Sequence, residues 1–121
     1  ANVISAYKTR CSICRLNHGK LLEAAHIIPD SDEESTTSVD NGISLCKIHH
    51  AAYDNLFIGI SPDYQVHVRP DLLVEIDGPM LKHGIQEMNK AELFLPMKES
   101  KKPNPEYLDQ RFIKFKEKAA G

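Results

Sequence analysis

Cys11 and Cys14 form a C-x2-C pair, Cys46 and His49 form a C-x2-H pair, and a second histidine, His50, follows directly. Three thiols and one imidazole in matched two-residue spacings make the donor set of a closed tetrahedral zinc site, each short turn presenting two ligands to one ion. Four protein ligands complete a structural zinc, so His50 is left to face elsewhere. Asp54 lies four residues beyond it. If this stretch is helical, the imidazole and the carboxylate share a face one turn apart.

These groups need elements to hold them. The apolar run Leu21 to Ile28, bounded by Gly19 and Pro29, reads as a strand with His26 near its end, terminated by the proline. The acidic, hydroxyl-rich stretch from Asp30 to Asp40 (DSDEESTTSVD) reads as an exposed loop. Asn41-Gly42 then turns the chain into a second strand, Ile43 to Cys46, antiparallel to the first. Lys47 to Asn55 suits a helix, with Ile48, Ala51, Ala52 and Asn55 on one side and His50 and Asp54 on another. The result is a small ββα unit.

Around it, Asn2 to Tyr7 can be a short helix or strand leading into the Cys11–Cys14 knuckle. Leu56 to Ile60, Gln65 to Arg69 and Leu73 to Ile76 read as later strands, the first two joined by a turn at Ser61-Pro62-Asp63. After the breaker run Lys102-Pro103-Asn104-Pro105, Glu106 to Ala119 places Leu108, Phe112, Ile113 and Phe115 as the apolar side of a final helix. Tyr7, Tyr53 and Tyr64 read as core or rim aromatics, and His18, His67 and His83 as surface or sheet residues.

A chain of 121 residues is one domain's worth, with a core thin enough to gain from a metal staple. Charged residues make up 26% and no apolar run reaches spanning length, so neither a disordered nor a membrane-embedded chain is expected. All three cysteines fall in the zinc quartet, and an odd count argues against a disulfide framework and for a reducing compartment. The start at Ala1, with no signal-like segment, reads as part of something longer. A net charge of -2 is not that of a bulk-electrostatic nucleic-acid binder. Yet Lys8, Arg10, Arg15 and Lys20 surround the first cysteine pair, and Lys98, Lys101, Lys102, Arg111, Lys114, Lys116 and Lys118 load the tail, so a local basic face is expected.

Taken together, Ala24-Ala25-His26-Ile27-Ile28-Pro29, Asn41-Gly42-Ile43 and Leu45-Cys46-Lys47-Ile48-His49-His50 with Asp54 resemble an HNH endonuclease of the ββα-metal class. The likeness is strongest over residues 7 to 60. Phe57-Ile58-Gly59-Ile60-Ser61-Pro62-Asp63 and the late Leu95-Pro96 with the terminal helix resemble the HNH domains of bacterial restriction-type proteins. The resemblance implies an α+β fold: a zinc-stapled ββα-metal core over 7–60, then an extension over 61–121 with additional short strands and a C-terminal helix, all within one nuclease domain. It implies that His26 is the general base for the attacking water, and that Asn41 braces the loop between the strands and in some members touches the metal. His50 would bind the catalytic divalent ion, with Asp54 as second ligand, a mixed nitrogen and oxygen pair that suits Mg2+, Mn2+ or another transition ion rather than a second structural zinc, and cleavage would leave 5′-phosphate and 3′-hydroxyl ends. Where many HNH enzymes carry a metal-binding Asp or His directly before the base, this chain has Ala25, which implies a leaner and more selective metal site.

The implied partners are DNA, an attached reader domain that in restriction-type proteins often recognises modified cytosine by base flipping, and a second copy that places two sites on opposite strands. The implied setting is the bacterial cytoplasm. The competing class is a non-catalytic zinc module that binds DNA or protein within a larger assembly.

Overall fold

The first strand, β1 (Leu22–His26), pairs antiparallel with β2 (Gly42–Cys46) in a register that sets Leu22 opposite Cys46 and His26 opposite Gly42. This is seen in a computed structural model that describes residues 2–29 and 38–121. Most of the acidic loop expected over 30–40 therefore lies outside the described residues; Val39–Asn41 at its end form a single 3-10 turn. Helix α1 (Asn2–Ala6) precedes the zinc knuckle, and α2 (Lys47–Asp54) follows β2 without a linker.

The start of α2 is set by Cys46, whose sulfur accepts a hydrogen bond from the His49 amide and so satisfies one of the free donors of the first turn. A ligand of the zinc-type cluster is thereby also the helix cap. The knuckle is fastened by Ser12, whose amide donates to Ser44 O at 2.8 Å and whose hydroxyl donates to Phe94 O at 2.6 Å.

After α2 come β3 (Ile58–Ile60) and β4 (Val66–Val68), antiparallel, with Ser61 to Tyr64 as the turn. The third strand expected at Leu73 to Ile76 is not formed. Pro70 instead opens a short helix, α3 (Pro70–Leu73), whose fixed φ suits a first helical turn. The edge of β4 is taken by residues 90–91, through Val66 N to Ala91 O and Lys90 N to Val66 O, both at 2.8 Å. Val74 and Ile76 stay in solvent at 81% and 100% exposure.

Helix α4 (Pro105–Ala120) begins as expected, with Asn104 capping the Glu106 amide and Pro105 in the first turn. Its buried stripe is Leu108, Arg111 and Phe115, whereas Ile113 is exposed and Phe112 half-buried. An i, i+3, i+7 row faces the core here, and it carries an arginine in place of the expected Phe112 and Ile113. Arg111 therefore does not belong to a solvated basic face.

The helix seats against β3 at Gly59, where an added Cβ would stand 2.5 Å from the Phe115 ring. A Gly59→Ala chain is expected to lose roughly 1–3 kcal/mol through overpacking, read as a lower urea midpoint; an unchanged midpoint would show that α4 is not held this tightly. The core joins Tyr7, Leu22, Ala25, Ile27, Ile43, Leu45, Tyr53, Ile58, Ile60, Val66 and Leu108 into one cluster spanning both sheets and the final helix.

Candidate active site and zinc centre

The four residues read as zinc ligands converge. The donor atoms of Cys11, Cys14, Cys46 and His49 all lie within 4.8 Å of one another. His49 Nδ1 stands 3.3 Å from Cys46 Sγ and 3.6 Å from Cys11 Sγ, close to the roughly 3.5 Å edge between sulfur and nitrogen ligands of tetrahedral zinc. The other ring nitrogen, Nε2, donates to Gly84 O at 2.7 Å, which leaves Nδ1 as the ligating atom. Gly84 belongs to a wide helical turn at Met80–Ile85, a segment with no local pattern that connects it with the cysteine cluster.

Without an ion, the sulfurs contend for protons. Hydrogen bonding to Cys14, and next to Cys46, holds the Cys11 thiol below its ordinary range, and the same contact with Cys11 pushes Cys14 up. Cys46 is raised by Cys11 but more strongly lowered by Cys14 and His49 together. Burial alone would lower His49, yet the Cys11 and Cys46 sulfurs outweigh it and raise the imidazole to about 10. Such a cluster carries thiolate charge that a cation replaces protons to neutralise, so these residues can hold a metal ion and their donor chemistry fits zinc.

The second centre lies on the other side of α2. His26, Pro29, His50, Asp54 and Arg111 line a cavity of about 310 Å³. His50 Nε2 stands 3.1 Å from Asp54 Oδ2, one helical turn away. Two adjacent ligands of an octahedral ion with 2.1 Å bonds lie about 3.0 Å apart, so the pair is spaced to share one. His50 Nδ1 is 2.8 Å from Glu23 Oε1 on β1, and Lys47 Nζ is 3.3 Å from Glu23 Oε2. The hydrogen bond from His50, followed by that from Lys47, holds the Glu23 carboxyl below its ordinary range.

Ala25 is fully buried and offers no ligand. Glu23, two residues earlier and therefore on the same face of β1, supplies the nearest carboxylate to the helix from this strand, through His50. Asn41 is 1% exposed; its Oδ1 accepts from Ile28 N at 2.8 Å and its Nδ2 donates to Ile28 O at 3.2 Å. That pair of bonds closes the base of the inter-strand loop, and Asn41 is not among the residues lining the cavity of His26, His50 and Asp54.

Two contributors escaped the sequence reading. Glu23 had a visible signal, a charge inside an otherwise apolar strand run. Arg111, 7% exposed, donates from Nη1 to His26 O at 3.2 Å and Ile27 O at 2.8 Å, and from Nη2 to Tyr53 O at 3.0 Å and Asp54 Oδ1 at 3.3 Å. Its guanidinium also lies over the Tyr53 ring, 4.2 Å from the centroid. Its signal was the spacing from Leu108 and to Phe115, which puts an arginine on an apolar stripe.

A two-stranded hairpin followed directly by a helix, with a histidine at the strand end, a histidine and carboxylate on the helix and a cysteine-rich cluster at its start, is the architecture of the HNH endonucleases. Residues 11–61 match the model of the HNH endonuclease family. Among solved structures, one titled "Modification dependent TagI restriction endonuclease" shares the fold, with a TM-score of 0.61 and 18% identity over 93% of this chain and 35% of that one. This chain thus spans about a third of that neighbour's length. Comparison with curated proteins gives no match. Among the described residues, no helix is long and apolar enough to cross a membrane.

Proposed function

We propose that this chain is the cleavage domain of a metal-dependent DNA endonuclease, hydrolysing phosphodiester bonds to 5′-phosphate and 3′-hydroxyl ends. The observation that carries this reading is the convergence of His26 from β1 with His50 and Asp54 from α2 on one cavity of about 310 Å³. His26 takes the proton of the attacking water, the general-base role for which an imidazole is suited near neutral pH. His50 Nε2 and Asp54 Oδ2 would hold a divalent ion such as Mg2+ or Mn2+, with Glu23 against the opposite ring nitrogen so that the Nε2 lone pair is available as a ligand. Such an ion would supply neutralisation of the negative charge that builds on the phosphate as the bond breaks. Asn41 organises the loop from behind through Ile28. The Cys11, Cys14, Cys46 and His49 cluster takes zinc as a structural ion and fixes the start of the helix that carries His50.

In this reading, specificity comes from elsewhere, since contacts to phosphates carry no sequence information. The chain acts within a restriction-type enzyme whose reader domain selects the target, in keeping with the named modification dependence of the neighbour and the third of its length that this chain spans. Lys114 and Lys118, exposed and three and seven residues beyond Arg111 on α4, continue the side of the helix that lines the cavity and track the DNA backbone away from it. Replacing both with Ala should weaken DNA binding about equally across sequences and reduce the slope of log affinity against log salt by about two, one per lost phosphate contact. An unchanged slope in a filter-binding titration would remove α4 from the DNA path.

The test of the function itself is incubation of supercoiled plasmid with the protein and Mg2+, Mn2+, Co2+ or Ni2+, with ligation of the nicked product to identify its ends. Nicks that a DNA ligase reseals directly are expected. No nicking with any of these ions, by this chain or by the longer protein that contains it, would favour a zinc module that binds without cutting.

A further inference from the structure

We infer that Arg111 is a positioning residue for this reaction: its guanidinium sets the spacing between the base strand and the metal-binding carboxylate, tying the backbone at His26 and Ile27 to Asp54. The inference rests on the proposed nuclease reading and extends it to a helix outside the segment that matches the family.

Four observations support it. Arg111 reaches both catalytic elements at once, Nη1 binding the two carbonyls where β1 ends and Nη2 binding Tyr53 O and Asp54 Oδ1 where α2 ends. Each terminal nitrogen thus makes two bonds, so its hydrogens are already committed and a phosphate could be gripped there only by breaking them. The contact with Asp54 falls on Oδ1, while Oδ2 is the oxygen beside His50 Nε2. Arg111 therefore divides the carboxylate, presenting one oxygen to the ion and keeping the other from chelating it. Finally, the guanidinium lies over the Tyr53 ring, 4.2 Å from its centroid, and Arg111 is buried on the same stripe of α4 as Leu108 and Phe115. A rigid planar fork can hold these four acceptors at fixed directions, whereas a lysine ammonium donates from a single point.

The test compares wild type, Arg111→Lys, and Arg111→Ala with and without methylguanidinium, each first checked for zinc content and thermal midpoint. Two readouts follow on the folded fraction: Mn2+ affinity by electron paramagnetic resonance, and kcat against KM for plasmid nicking. Positioning predicts that Arg111→Lys retains zinc, binds Mn2+ about 10-fold to 100-fold more weakly, and loses about 100-fold in kcat, with KM little changed. Methylguanidinium should recover part of both losses in Arg111→Ala, and urea should recover neither. A raised KM at unchanged kcat would make Arg111 a substrate contact and overturn the inference. So would wild-type Mn2+ affinity and kcat in folded Arg111→Lys. Loss of the fold in both variants would assign Arg111 to stability alone and overturn it as well. If wild type binds Mn2+ and does not cut, the nuclease reading fails, and the inference with it. A wild type that cuts beside an equally active Arg111→Lys sinks only the inference.

Discussion

Replacing His26 with Ala should lower the rate of plasmid nicking by about 10²–10⁴-fold, the range spanned by general-base catalysis, with zinc content and thermal midpoint unchanged. The separation of activity from stability follows from where His26 sits. It closes β1 opposite Gly42, and its backbone carbonyl, which alanine retains, accepts the hydrogen bond from Arg111 Nη1. What the substitution removes is the ring at the wall of the cavity shared with His50 and Asp54. Single-turnover kinetics at saturating metal make the comparison clean, because a fall in metal affinity is then not mistaken for a fall in proton transfer. Cutting at the wild-type rate would sink the assignment of His26 as base, whatever becomes of the metal pair.

A Cys11→Ser chain should behave in the opposite way, losing its zinc and its fold together. Cys11 is buried with no exposure, and its sulfur lies 3.6 Å from His49 Nδ1 at the heart of the cluster. Structural zinc in small domains contributes about 10–16 kcal/mol of apparent binding energy, as large as or larger than the roughly 5–15 kcal/mol by which a domain is stable at all. A hydroxyl is a poor zinc ligand beside a thiolate, so three ligands should not retain the ion under chelator competition. Elemental analysis and a circular dichroism melt report the two losses, and EDTA added to wild type should reproduce the melt. Unchanged zinc content and midpoint would show that the quartet is not the site.

What could be read from the residues alone was whatever is encoded in short, local spacings. The two cysteine-type pairs, the entry into the second strand at Asn41-Gly42 and the i, i+4 relation of His50 and Asp54 each depend on a few neighbouring positions, and each has its counterpart in the structure; Pro29 does not mark the end of the first strand, which stops at His26. The helix at Glu106 to Ala119 was legible for the same reason, through its Asn-Pro start and its apolar spacing. Leu73 to Ile76 misled because an apolar run looks alike whether it pairs or not; pairing depends on a free sheet edge, and residues 90–91 occupy that edge. Arg111 was hidden by its type. Among so many tail lysines it counted as surface charge, and only the position of α4 against β1 and α2 turns it inward. Glu23 reaches His50 across 27 positions of chain, a relation that no local pattern carries.

The carbonyl of Gly84 has a consequence of its own. The partner that orients His49 is main chain, so every residue type at position 84 would offer the same oxygen, and the side-chain neighbour an alanine there would press on is the mobile end of Met80. Substitution scanning is therefore blind to this contact. Selection on it acts on length, not on letters: deleting or inserting one residue between Met80 and Ile85 slides the oxygen away from the imidazole, whereas exchanging the residues leaves it where it is.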